Sequence, residues 1–108
     1  MKNRLLPILL VLFSSMLQAQ VFVDANASGS NNGTSWANAY TDLGMALDNA
    51  EAGNELWVAA GTYTPMANDT AFFAISTANL SLYGGFNGTE TSLGDRDITA
   101  NPTILSGD

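Results

Sequence analysis

Three short apolar runs, each closed by a glycine, set the pattern of this chain. Leu56-Trp57-Val58-Ala59-Ala60 ends at Gly61, Leu80-Ser81-Leu82-Tyr83-Gly84 ends at Gly85, and Pro102-Thr103-Ile104-Leu105-Ser106 ends at Gly107. The first is the strongest: five apolar residues rich in β-formers, reached from Gly53-Asn54 and left through Thr62-Tyr63-Thr64 into Pro65. An unbroken apolar run between turn residues predicts a short strand buried on both faces. The closing glycines lie 24 and 22 residues apart, a period in the range of stacked repeats, where one turn of chain lies on the next. Ala71-Phe72-Phe73-Ala74-Ile75 supplies a further apolar run, so each turn of such a stack holds more than one strand. The segment from Asn87 to Asn101 is too hydrophilic for a core. Strands that happen to fall at this spacing in a β-sandwich are the competing reading.

Upstream, Val21-Phe22-Val23 is a β-prone run, and Asp24 to Ser35 is nearly all Asn, Ser, Gly, Ala and Asp, which favours a loop. Trp36, Ala37, Tyr40, Leu43, Ala46, Leu47 and Ala50 recur at helical spacing. With Thr41 as N-cap, Asp42 at the positive helix end and Gly53 as the stop, the spacing predicts a helix over Thr41 to Ala52, with Trp36 and Tyr40 packed where it begins.

The first residues follow a different logic. Lys2 and Arg4 precede an apolar stretch from Leu5 to Leu17, followed by Ala19-Gln20, the order of a secretory signal peptide over residues 1–19. A membrane anchor is disfavoured because the run is shorter than the ~20 residues a spanning helix needs and contains Pro7. Removal of the signal leaves Arg96 as the one cation against ten acidic residues, a formal charge of −9. Such a chain has no basic patch for nucleic acid or anionic lipid. It also has no cysteine, so a small exported domain must find its stability elsewhere than in disulfides, and stacking on further repeats is one source.

Several segments in order carry a resemblance: Val21-Phe22-Val23-Asp24, Gly33-Thr34-Ser35-Trp36-Ala37-Asn38-Ala39-Tyr40, Glu55 to Tyr63, Tyr83-Gly84-Gly85-Phe86-Asn87-Gly88-Thr89-Glu90-Thr91, and Arg96-Asp97 through Asn101-Pro102-Thr103-Ile104-Leu105-Ser106-Gly107-Asp108. Together they resemble the N-terminal part of secreted right-handed parallel β-helix proteins of the pectin-lyase-like superfamily, most closely bacterial surface proteins of the polymorphic outer-membrane-protein type. The resemblance implies an all-β solenoid whose first two to three coils lie behind an N-terminal amphipathic capping helix. The division implied is signal peptide 1–19, then strand, polar loop and capping helix over 20–53, then the first coils over 54–108. Leu56 to Ala60 would then belong to the first coil, with Leu80 to Tyr83 and Thr103 to Leu105 in the next two. Trp36, Leu43, Leu47, Leu56, Trp57, Val58, Gly61, Leu82, Gly85, Ile104 and Gly107 are the expected structural positions, with Ile75 and Leu80 also facing the core. Further coils of the same chain are expected beyond Asp108, because a solenoid needs capped ends.

The candidate sites are sparse, and no catalytic or cofactor-binding residue is assigned. Asp24, Asn26 and Ser28 with Gly29 open like a calcium loop, but the twelfth position, where a bidentate Glu belongs, is Ser35, so a polar loop is the better reading. Asp95-Arg96-Asp97 reads as a local turn salt bridge, which is weak when exposed. Neither the proton-abstracting site of a polysaccharide lyase nor a glycosidase carboxylate pair is specified by these residues. Trp57 and Tyr63 are core packing in one reading and a sugar-stacking face in another. Five N-x-S/T sequons, at Asn26, Asn32, Asn68, Asn79 and Asn87, mark polar turns, and Asp69-Thr70-Ala71 matches a short bacterial O-glycosylation pattern.

These readings lead to a non-enzymatic structural or adhesive protein, secreted or on the outer surface of a Gram-negative bacterium. Its expected contacts are extracellular polysaccharide or a host or neighbouring surface, with no nucleic acid. A polysaccharide lyase or glycoside hydrolase with catalytic coils downstream is the alternative, and a stand-alone glycan-binding module the second. Clustered Asp with Lys, Arg or His on later coils would favour the enzyme, and many degenerate repeats with a C-terminal sorting domain the surface protein.

Overall fold

The computed structural model describes residues 19–65, 73, 75 and 77–106. Along the chain lie β1 (Gln20–Val23), helix α1 (Leu43–Asp48), β2 (Glu55–Ala59), β3 (Gly61–Tyr63), β4 (Ser81–Phe86), a 3-10 turn (Leu93–Asp95) and β5 (Thr103–Leu105). The strands form two small parallel sheets that do not close into a barrel: a three-stranded one in the order β1-β2-β4 and a two-stranded one of β3 and β5. Parallel neighbours cannot be joined by a hairpin, so each pairing needs a longer return of chain. Here the returns are α1 with its loops and the segments after β3 and β4.

Register fixes two kinds of side-chain row. Val21, Leu56 and Leu82 lie opposite one another on adjacent strands, as do Phe22, Trp57 and Tyr83. Successive residues of a strand point to opposite faces, so the first row is aliphatic and the second aromatic. The aliphatic face packs against α1: Val23, Leu43, Ala46, Leu47, Leu56, Val58 and Tyr63 form one buried cluster, with Leu80 and Leu82 partly buried against it. Burial of β2 on both faces accords with its apolar run, and only Glu55 in that strand is more than slightly exposed.

Between Trp57 and Ala59 the register shifts, so that Gly84 and Gly85 together oppose Val58. This is a β-bulge, with two residues facing one. Gly85 takes a φ of 93°, a left-handed backbone that glycine adopts without steric cost. The amide displaced by the bulge is recovered by a side chain: Gly85 N–H donates to Thr103 Oγ1 at 3.0 Å, and that hydroxyl lies 3.1 Å from Val58 C=O and 3.2 Å from Ala59 C=O. A Cβ on Gly84 would stand 2.7 Å from Thr103 Cβ, so the glycine pair is what lets β5 approach.

The outer edge of β1 is covered by the polar loop. Phe22 N–H donates to Gly33 C=O (3.0 Å), Tyr40 N–H to Phe22 C=O (2.9 Å) and Asp24 N–H to Tyr40 C=O (2.8 Å). Gly33, at φ 77°, sits where any Cβ would lie 2.6 Å from the Tyr40 ring. An exposed strand edge invites pairing with another chain, and a covering loop is one way of blocking it.

Several expectations are corrected here. The helix covers Leu43–Asp48 with Asp42, not Thr41, as N-cap, because Trp36 to Ala39 forms a turn and Tyr40 bridges β1 instead. The loop at Gly33–Tyr40, rather than the helix, closes that edge, while the helix covers the aliphatic face. β2 is the middle strand of its sheet, with β1 before it. Thr103–Leu105 does not continue the row of Leu56 and Leu82: it pairs with β3, Thr62 opposite Ile104 and Tyr63 opposite Leu105. Ile104 shares the outward face of exposed Thr62 and is 50% exposed, and Ile75 is 56% exposed, so neither is a core residue. The remaining apolar positions of the 71–75 run, apart from Phe73, and Gly107 lie outside the described residues.

Two neighbouring substitutions separate these roles. Thr103→Val removes the bridge across the bulge and lowers unfolding free energy in chemical denaturation by about 1–3 kcal/mol, the cost of leaving partners unbonded. Ile104→Val, on the exposed side of the same strand, changes it by no more than about 0.5 kcal/mol.

Candidate functional site

The face of the three-stranded sheet opposite α1 carries the densest group of chemically distinctive side chains. Phe86, brought onto this face by the bulge, stacks on Trp57 with centroids 4.8 Å apart and planes 7° from parallel. Phe22 meets Trp57 edge-on at 5.7 Å, and Trp36 packs on Phe22 at 4.8 Å and on Phe86 at 5.5 Å. Offset and edge-on pairs of this sort contribute about 0.5–1.5 kcal/mol beyond their burial. Trp36 therefore packs on the side of the sheet away from the helix, rather than beside its start. Trp57 is 2% exposed and Phe86 is fully buried, so the flat ring surfaces a sugar would need are covered by neighbouring rings.

Trp36 also joins two distant loops. Its Nε1–H donates to Glu90 C=O at 2.8 Å across 54 residues of chain. Glu90 is itself buried, and its carboxylate accepts the backbone N–H of Asn87 at 2.8 Å and of Gly88 and Thr89 at 3.2 Å. The local sequence explains the shape. Asn87 Oδ1 accepts from Thr89 N–H (3.0 Å) and Thr89 Oγ1 (2.6 Å), closing an Asx turn. Gly88 supplies the positive φ of 100°. Asn32-Gly33-Thr34 forms the same turn, with Thr34 N–H and Oγ1 at 3.2 and 2.8 Å from Asn32 Oδ1. With its oxygens directed at three amides, Glu90 closes a turn and is not placed to move a substrate proton. Glu90 lies within the segment expected to be excluded from the core. The repeated Asn-Gly-Thr triplet, followed in one copy by Glu, is the signal that marks it.

The remaining candidates are scattered. Asp24 Oδ1 accepts from Asn26 N–H at 2.9 Å, and Asn26 and Ser28 are exposed on the loop. Among the described residues no group of three His, Cys, Asp or Glu side chains is placed to hold a metal ion. Arg96 does not pair with its flanking carboxylates. Its Nη1 donates to Gly84 C=O at 3.3 Å and its guanidinium lies 5.1 Å from the centre of the Tyr83 ring, a cation–π arrangement. Asp95 accepts instead from Ser92 Oγ (3.3 Å), and Asp97 Oδ1 from Thr99 N–H (3.1 Å) and Ala100 N–H (3.0 Å). The Asn26, Asn32, Asn79 and Asn87 sequons all lie in turns or bends or beside them, while Asn68 and Asp69-Thr70-Ala71 lie outside the described residues.

Tyr63 is core rather than surface, at 4% exposure. Its hydroxyl donates to Ala59 C=O at 3.0 Å and accepts from Ala25 N–H at 3.2 Å, tying β3 to the loop after β1. No described helix is long and apolar enough to cross a membrane. Comparison with family models, with curated proteins and with solved structures returns no match.

Burial pushes the Tyr63 phenol above its ordinary pKa of 10.0, the nearby Asp24 carboxylate adds to this, and the Ala25 N–H bond opposes it. The folded state thus holds the phenolic proton more tightly than the unfolded chain does. The linked stability is complete below pH ~10 and falls as pH rises from there towards the folded-state pKa. In urea titrations at pH 8 and 10.5, the wild type should lose more stability across that interval than Tyr63→Phe. Equal losses would show that Tyr63 does not carry the effect.

Proposed function

We propose that this chain is the capped first part of an exported right-handed parallel β-helix with a structural or adhesive role at the bacterial surface. The observation that carries the reading is the continuation of side-chain rows through parallel strands in both sheets. Val21, Leu56 and Leu82 form one such row and Tyr63 and Leu105 another. Both run from a covered end to an uncovered one. On the β1 side the loop at Gly33–Tyr40 takes the backbone groups. On the other side Leu82 is only partly buried, and Leu105, opposite the buried Tyr63, is 44% exposed. A further coil laid on β4 and β5 would bury both leucines, as stacking does in repeat architectures.

Cleavage after Ala19 would keep β1 whole from Gln20, at the cost of one described bond, that of Glu55 N–H to the Ala19 carbonyl at 3.0 Å. The aromatic side chains that a glycan-binding module would offer are here buried against one another, which favours the scaffold over the stand-alone binding module. The contacts of such a scaffold, whether polysaccharide or a neighbouring surface, would be made by its loops and later coils.

Protease shaving of intact producing cells, followed by peptide mass spectrometry, tests this reading. The expected result is release of peptides from the mature chain, the first beginning at Gln20, from cells that remain intact. Recovery of these peptides only after lysis, or with residues 1–19 still attached, would overturn it.

A further inference from the structure

We infer that the turn from Arg96 to Asn101 is a strand stop that closes the C-terminal half of β4 to pairing. Among the described strands β4 is at the edge of its sheet, and an edge with free backbone groups is a template for another chain. Two consecutive carbonyls of this edge strand are already engaged by the turn. Arg96 Nη1 donates to Gly84 C=O at 3.3 Å, and Gly85 C=O receives Asp97 N–H at 2.8 Å and Asn101 Nδ2 at 3.4 Å. The turn is held in that position by its own bonds: Asp97 Oδ1 accepts from Thr99 and Ala100 N–H, and Asn101 N–H donates to Asp97 C=O at 2.9 Å. Ile98 lies directly over the bulge, its Cγ2 2.6 Å from where a Gly85 Cβ would be. A glycine at this position is therefore what admits the turn.

The stop leaves Ser81–Tyr83 as the part of the β4 edge where a strand can add. It thus sets the register of any coil that follows and limits sideways association between copies of the chain. This goes beyond the proposed surface role, because the stop acts on whatever strand arrives, and the cell-shaving result and the tests below fail independently.

Two measurements test it. In the wild type, the Asp97 amide should exchange with solvent roughly 100-fold or more slowly than an unstructured amide, in step with Tyr83. Exchange of Asp97 at the unstructured rate would overturn the proposal, whatever the variants do. In sedimentation velocity, the double variant Asp97→Ala/Asn101→Ala should form larger species with rising concentration, while Thr99→Ala, which alters an exposed side chain of the same turn, keeps the wild-type size. A double variant that folds with wild-type circular dichroism yet stays at wild-type size overturns the stop. So does a Thr99→Ala protein that associates to the same extent. If the double variant does not fold, the wild-type exchange measurement decides.

Discussion

A single hydroxyl, that of Thr103, sits where the two sheets meet. It receives the Gly85 amide and lies within bonding distance of the Val58 and Ala59 carbonyls, so one side chain connects β2, β4 and β5. Much of the structure depends on the bulge it completes. Without two residues opposite Val58, Phe86 would not reach the aromatic face to stack on Trp57. Without glycine at position 84, β5 could not lie close enough for the hydroxyl to bridge. A bulge leaves a ladder group unpaired, and a buried unpaired amide is costly. Threonine is suited to the place because its hydroxyl both donates and accepts.

Alternation along the strands gives the sheet two different faces, and the bulge adds Phe86 to the aromatic one. On one, aliphatic rows meet a helix of only two turns, whose Leu43, Ala46 and Leu47 are buried. On the other, aromatic rows are closed by loops from opposite ends of the chain, joined through Trp36 and Glu90. Neither face is covered by regular secondary structure alone. Asn-Gly-Thr turns make this possible, since each satisfies its own backbone groups and leaves adjacent residues free to pack. The same economy appears at Arg96–Asn101, where a turn closed by Asp97 presents its remaining donors to β4.

Much of the arrangement was legible in the order of residues. Of the run Leu56 to Ala60, read as buried on both faces, Leu56 to Ala59 is so and Ala60 is half-buried beyond the strand, and the helix lies within the stretch where apolar spacing placed it. The glycines at positions 61 and 85 do take positive φ. What local pattern did not reveal was partnership. Pro102 to Gly107 resembles the earlier runs closely enough to suggest the same row, yet Thr103–Leu105 pairs with β3. The long return between β4 and β5 carries the chain to the second sheet, and no local periodicity records that. Glu90 lies in the stretch read as too hydrophilic for a core, yet it is buried, with its carboxylate matched by amides of its own turn and its carbonyl bonded to Trp36, 54 residues away.

Which segments extend, which turn and which helical stretch could cover an aliphatic face follow from alternation, turn chemistry and spacing within a few residues. Tertiary structure decided which strand lies beside which, which face each aromatic ring joins, and that a polar loop rather than a helix closes the first edge. Those choices rest on backbone pairing and ring contacts between residues tens of positions apart, and each depends on where the whole chain has returned.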